Sequence, residues 1–138
     1  MNILKVLTRQ RLIGNAGERA ASKYLKRRGY KILERNYIEC GHEIDIIAEN
    51  KDFICFVEVK SRTEGVDETR FPRPAAAVNQ KKQRAIITAS RLYCAKSQAK
   101  EKKFRFDVAE VYLTKKGKIS KINYMENAFS LSDAYKHC

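Results

Sequence analysis

The stretch Glu43-Ile44-Asp45-Ile46-Ile47-Ala48-Glu49-Asn50-Lys51-Asp52-Phe53-Ile54-Cys55-Phe56-Val57-Glu58-Val59-Lys60 decides how this chain folds. Two runs rich in β-branched and aromatic residues, Glu43 to Ala48 and Phe53 to Lys60, flank Glu49-Asn50-Lys51-Asp52, whose Asn and Asp suit a hairpin turn. Side chains alternate along a strand, so Glu43 and Asp45 are expected on one face, with Ile44 and Ile46 on the other. Glu58 and Lys60 likewise share a face, opposite Val57 and Val59. Pairing across so short a turn is antiparallel and brings Asp45 close to Glu58.

Working outward, Tyr30 to Tyr37 reads as a further strand with a bend near Asn36, which completes an antiparallel meander. Before it, Ala16, Ala20, Ala21, Tyr24 and Leu25 recur at helical spacing from Asn15 to Arg28. Asn15 and Glu18 read as a capping box that starts this helix, and Gly29 stops it. After the hairpin, residues 61–74 carry Gly65, Pro72 and Pro74 and read as a long loop. Ala75 to about Ala95 reads as the strongest helix, Phe104 to Leu113 as a fourth strand, Lys118 to Met125 as a fifth, and Ser130 to Lys136 as a short terminal helix. The expected fold is α/β, in the order α-β-β-β-α-β-β, with a mixed central sheet flanked by helices. A length of 138 residues fits one domain, with its core at about 14–125 and a C-terminal tail at 126–138.

Composition limits the function classes. Apolar residues make up 43% of the chain, which argues against general disorder, and no stretch approaches the roughly 20 apolar residues of a membrane helix. Cys40, Cys55, Cys94 and Cys138 form no CxxC pair and there are two His, so zinc is not expected. The absence of a secretory h-region fits a reducing, cytoplasmic compartment. The net charge of +13 points to a polyanionic partner, and its distribution is uneven. Residues 1–40 carry +7, residues 41–69 carry −5, and residues 70–105 carry +10.

The acidic island contains the residues suited to chemistry. Carboxylates converging on one sheet face repel unless a cation neutralises them. Oxygen donors without imidazole or thiolate suit a hard ion, Mg²⁺ or Mn²⁺. Lys60, two residues beyond Glu58, can position water or stabilise a charged phosphoryl transition state. The competing reading is a solvated strand face carrying cross-strand charge pairs. Against it, Phe53 to Val59 is apolar enough to form a central strand, where a charge is costly without a purpose.

The spacing Asp45-x12-Glu58-Val59-Lys60 resembles the PD-(D/E)xK nuclease signature of the restriction-endonuclease-like fold. More closely, the chain resembles the YraN-like family of bacterial proteins, which are similar to archaeal Holliday-junction resolvases. The matches run from Gly17-Glu18-x-x-Ala21 with Tyr24-Leu25, through Gly29-Tyr30-Lys31-Ile32-Leu33 and Arg35-Asn36-Tyr37, to Glu43 through Ala48 and Phe56 through Lys60 with Arg62. They end with Ala77-Val78, Lys81 and Arg105-Phe106-Asp107-Val108. The chain departs from the family at His42, where a glycine is common, and at Phe71-Pro72-Arg73-Pro74.

The resemblance implies that Asp45 and Glu58 hold Mg²⁺ with the Val59 carbonyl while Lys60 acts on the attacking water. Glu18 matches an acidic residue that resolvases bring to the same site, and Glu43, which has no necessary role in the simplest scheme, would support the ligands or serve a second metal. Arg62 would contact phosphate. The implied reaction is metal-assisted hydrolysis of a DNA phosphodiester, with branched DNA suggested by analogy and a homodimer expected on the same ground. Arg19 and Lys23 before the site, and Lys81, Lys82 and Arg84 after it, are the candidate nucleic-acid contacts. Aromatics are not interleaved with the basic runs and no helix-turn-helix is evident, so backbone and shape would be read and not base sequence. DNA is favoured over RNA. The alternatives are a non-catalytic nucleic-acid-binding or scaffold protein on the same fold, and an RNA-directed nuclease.

Overall fold

The computed structural model describes residues 3–65, 78–97 and 102–131, with the backbone alone for 3–10. The elements are α1 (Ile3–Arg27), β1 (Lys31–Glu39), β2 (His42–Glu49), β3 (Phe53–Thr63), α2 (Gln80–Ser97), β4 (Lys103–Leu113) and β5 (Ile119–Phe129). The expected α-β-β-β-α-β-β order is therefore present. The five strands form one mixed sheet in the order β1-β2-β3-β4-β5. The meander β1-β2-β3 is antiparallel, β3 and β4 are parallel across the α2 connection, and β4-β5 is again antiparallel.

Two cores lie on opposite sides of this sheet because β3 is buried on both. Cys55 and Val57 pack with Ala21 and Leu25 of α1. Ile54 and Phe56, one residue out of phase, pack with Ile86 and Ile87 of α2. Phe56 and Leu25 are fully buried, each contributing about 1.5–3 kcal/mol relative to exposure. The hairpin is locked as its sequence predicts: the Asn50 side chain accepts hydrogen bonds from the Asp52 and Phe53 N–H groups at 2.9 and 2.8 Å.

Several boundaries differ from the sequence reading. Helix α1 starts at least twelve residues before Asn15, so Asn15 and Glu18 lie inside it and form no cap. A capping-box pattern starts a helix only where the preceding residues are not already helical, and nothing between residues 3 and 14 stops this one. Its end is as expected. Gly29 adopts φ +87, and the N–H groups of Gly29 and Tyr30 donate to the carbonyls of Lys26 and Leu25, a Schellman closure.

Helix α2 starts at Gln80, later than the apolar pattern suggests, because Asn79 caps it by accepting the Lys82 N–H at 2.9 Å. Residues 75–77 of the expected start lie outside the described residues. Strand β3 continues through Thr63 into the expected loop, of which 66–74 lie outside the described residues. Strand β5 continues into the expected tail as far as Phe129, whose ring stacks on Phe106 at 5.2 Å. Of the expected terminal helix, 132–136 lie outside the described residues.

Strict alternation also fails where it matters most. Ile44 packs in the α2-side core and Ile46 in the α1-side core, although strand periodicity puts them on one face. On the paired strand, Asn36 takes φ 52, a left-handed conformation that Asn tolerates better than most residues. Beyond Asn36, Tyr37 turns to the α2 side and meets Tyr93 edge-on at 5.2 Å. The end of the β1-β2 ribbon is thus rotated, with Asp45 at the point of rotation.

Candidate functional site

The β2-β3 ladder runs from Glu49↔Ile54 to Ile46↔Val57 and has no pair beyond it. Continued by one step, it would set Asp45 against Glu58. Instead the strands part, and the Asp45 carboxylate accepts the Val59 N–H at 2.7 Å across the opening. In an extended strand a residue's N–H and C=O leave on the same edge, so the Val59 carbonyl faces the opening as well.

Helix α1 supplies the second wall. It seats close to β3 because Gly17 has no side chain: a Cβ there would lie 2.0 Å from the Ser61 hydroxyl oxygen. Glu18, the next residue, is thereby carried to the same opening. Glu18, Glu43 and Asp45 each present an oxygen, and all three lie within 4.8 Å of one another. The Arg35 guanidinium lies 3.7 Å from Glu18, and the Asn36 side chain hydrogen-bonds the same carboxylate.

Glu58 borders this trio from the α2 side of β3. It is 5% exposed, and its Oε1 lies 3.4 Å from Lys60 Nζ and 4.0 Å from Lys82 Nζ. Its Oε2 is buried without a hydrogen-bond partner among the described residues, as is Oε2 of Glu18. The electrostatics reflect this crowding. Burial, followed by repulsion from Glu58, pushes the Asp45 carboxyl up to about 8 despite the Val59 hydrogen bond. Burial also raises Glu18, with Glu43 and Glu58 adding to the rise and Asn36 and Arg35 opposing it.

The donor set is therefore all oxygen: four carboxylates and one backbone carbonyl, with two buried oxygens unsatisfied. Such a set fits a hard divalent cation such as Mg²⁺ or Mn²⁺ and does not fit zinc, which favours imidazole and thiolate. Glu43, which the simplest sequence-based scheme left without a role, belongs to the close trio. Glu58 leans instead toward two ammonium groups.

The basic residues separate into three places. Lys81, Lys82 and Arg84 line a groove of about 680 Å³ together with His42 and Glu43, beside the carboxylates. Arg19 and Lys23 lie on the other flank of α1, facing the β4-β5 turn at Gly117 and Lys118. Arg62, expected at phosphate, is 9% exposed and its Nε lies 3.6 Å from Glu110, which also accepts the Tyr112 hydroxyl. The Arg35-Asn36 contribution to Glu18 was not read from sequence. Its one sequence signal is the Asn at the bend, a residue type enriched at positive φ. Gln83 was likewise passed over. It is buried, donates through Nε2 to the Val78 carbonyl at 2.8 Å, and leaves Oε1 without a partner among the described residues.

Comparison with known proteins gives a family and no activity. The chain is 43% identical over 125 residues to a UPF0102 protein of Acetivibrio thermocellus, covering 87% of this chain and 92% of the relative. It is 48% identical over 119 residues to a UPF0102 protein of Alkaliphilus oremlandii, covering 85% and 97%. A UPF0102 protein of Dictyoglomus thermophilum is 43% identical over 117 residues, covering 85% and 96%. Residues 17–111, which run from the glycine that seats α1 to the end of the β4 core, match the family described as "Uncharacterised protein family UPF0102", and the chain belongs to that family.

Proposed function

We propose that the protein is a Mg²⁺-dependent endonuclease that binds DNA and hydrolyses its phosphodiester bonds at the opening between β2 and β3. One observation carries the reading: Glu18, Glu43 and Asp45 converge within 4.8 Å beside the buried, partly unsatisfied Glu58, with Lys60 adjacent. Four carboxylates from two strands and a helix are destabilising as a bare cluster, and the sheet's Asp107 shows that this fold can satisfy a buried acid when nothing else is required of it.

Asp45 and Glu58, with the Val59 carbonyl, would hold Mg²⁺, assisted by Glu18 and Glu43. The bound ion would polarise a phosphoryl oxygen and acidify a water molecule. The chain's own groups do the rest. The Val59 N–H anchors the Asp45 carboxylate, so the ligand does not have to be ordered when substrate arrives. Lys60 holds a positive charge 3.4 Å from Glu58, where it orients the attacking water and offsets negative charge accumulating on the phosphoryl group. Lys81, Lys82 and Arg84 grip phosphates flanking the scissile one from the α2 side of the groove. Arg19 and Lys23 contribute to the positive field that steers a polyanion toward the protein.

The test is titration of Mg²⁺ and Mn²⁺ into the wild type and Asp45→Ala, followed by incubation with branched, nicked and single-stranded DNA and with matched RNA. Metal-dependent cleavage by the wild type, reduced at least about 100-fold in Asp45→Ala, is the expected result. Cleavage of RNA alone would reassign the substrate. No cleavage, together with equal metal binding by both proteins, would remove the enzyme reading.

A further inference from the structure

A second surface lies on the far side of α1 from the carboxylates. Glu18 faces Arg35 on β1, one edge of the sheet, whereas Arg19 and Lys23 face the β4-β5 turn at the other edge. Two adjoining grooves of about 510 and 490 Å³ run there between α1 and the turn, sharing Ala16, Arg19 and Gly117. Their walls are cationic: Arg19, Lys23, Arg27, Arg28 and Lys118 around the first, and Lys115 and Lys116 along the second. Among the described residues, no acidic one lines either groove. None of these seven side chains is in an ion pair among the described residues. The floor, by contrast, is apolar. It is formed by Ala16, Ala20 and Ile122, with Leu12 and Ile119 at the margins 62% and 43% exposed.

We propose that this groove docks a protein partner through a short segment in which acidic and apolar side chains alternate. Charge complementarity calls for carboxylates or phosphates, and the floor decides between them. A phosphate backbone gains nothing from covering Ala16, Ala20, Ile119 and Ile122, whereas an apolar side chain between two carboxylates removes that surface from water. Nor does the groove offer a stacking platform for bases. Its aromatic ring, Tyr24, already carries the Arg28 guanidinium 3.5 Å from its centroid and stacks on Tyr124 at 5.1 Å. The helix edge from Leu12 to Arg27 spans about 23 Å, which matches about seven extended residues. The proposal concerns the opposite flank of α1 and stands whether or not the carboxylate site cuts DNA.

The test is fluorescence anisotropy of the full chain with a labelled heptapeptide, DLEFDLE, beside its apolar-free counterpart DSESDSE and a seven-nucleotide single strand. Saturable binding of DLEFDLE below about 1 mM is expected, weakening with added salt. DSESDSE should bind about tenfold more weakly. Arg27→Glu combined with Lys118→Glu should weaken DLEFDLE about tenfold, and Ile119→Ser about threefold or more. All three positions are exposed, and circular dichroism verifies that the variants fold. The proposal is overturned if DLEFDLE shows no saturable binding, if DSESDSE binds equally well, or if the variants leave DLEFDLE binding unchanged. It is also overturned if the oligonucleotide displaces the peptide and is itself weakened by the charge reversals, which would make the groove a nucleic-acid surface.

Discussion

The sheet buries Glu58, Asp107 and Glu110, and it treats Asp107 and the carboxylates gathered at Asp45 and Glu58 in opposite ways. At Asp107 on β4, every need is met. Arg105 donates to both carboxylate oxygens at 2.9 to 3.1 Å, the Tyr124 hydroxyl donates at 2.6 Å, and the Asn127 N–H donates at 2.9 Å. Arg105 in turn donates to the Tyr30 hydroxyl at 2.6 Å, so one network ties β4, β5 and the start of β1 together. Asn127 reaches Asp107 by taking φ 54, at the irregularity between Phe106 and Val108 in the β4-β5 ladder. Even the neighbouring Cys55 thiol is pushed up to about 12, by burial first and then by the Asp107 charge, which leaves it inert. At Asp45, a single backbone hydrogen bond is set against three other carboxylates. The contrast separates an acid that joins strands from acids crowded against one another.

The sharpest way to break the comparison is to remove the satisfied acid. Asp107→Ala leaves Arg105 buried without its carboxylate and strips two further donors of their acceptor. Urea unfolding should show a loss of about 3–5 kcal/mol, the same with and without Mg²⁺. If the loss is below about 1 kcal/mol, the network is not what holds β5 to β4.

Gly17→Ala tests the wall that brings Glu18 in. A methyl group there would lie 2.0 Å from the Ser61 oxygen, which must rotate away, and 3.3 Å from the Ser61 Cβ, which α1 relieves by shifting outward slightly, at a cost of about 1–3 kcal/mol. Unlike Asp107→Ala, it should also weaken Mg²⁺ binding measured by calorimetry, because Glu18 moves with the helix. Unchanged metal affinity would take Glu18 out of the site.

The smallest expected effect is the most diagnostic. Between about 4 and 8, the folded chain keeps a proton on Asp45 that the unfolded chain, with an ordinary value of 3.8, has released. The folded state binds more protons in that window, so in chelator its stability falls as pH rises from 4 to 8. Asp45→Asn keeps the acceptor for the Val59 N–H and removes the charge. It should flatten this slope and be more stable than the wild type at pH 8 by about 1.4 kcal/mol or more in chelator. Saturating Mg²⁺ should reduce the difference. A pH slope identical in wild type and variant would mean that the carboxylates do not crowd one another.

Much of this was legible in the residues. The hairpin at Asn50, the central β3, the closure of α1 at Gly29 and the approach of Asp45 to Glu58, with Lys60 beside it, all follow from periodicity and turn chemistry, which depend on near neighbours. The start of α1 was not legible, because Asn15-x-x-Glu18 is a cap only if the chain before it is not helical. Nor was the end of β5, where pairing with β4 and the stacking of Phe129 on Phe106 extend a polar strand that carries little apolar signal of its own. Arg62 shows the same limit: it was expected in the loop after Lys60, whereas β3 runs on to Thr63 and sets it beside Glu110, a partner supplied by the parallel strand.

The sequence by itself determined the order of elements, the two-sided burial of β3 and which residue types form the acidic island, since each is written in local alternation, spacing and charge. Only the tertiary structure decided that the β2-β3 ladder ends at Ile46, that Asn36 rotates the ribbon, and that Gly17 lets α1 close over Ser61. These decisions bring Glu18 and Glu43 to Asp45 and leave Arg19 and Lys23 on the opposite flank. They depend on contacts between segments far apart in the chain, where packing overrides the alternation that each strand would follow alone.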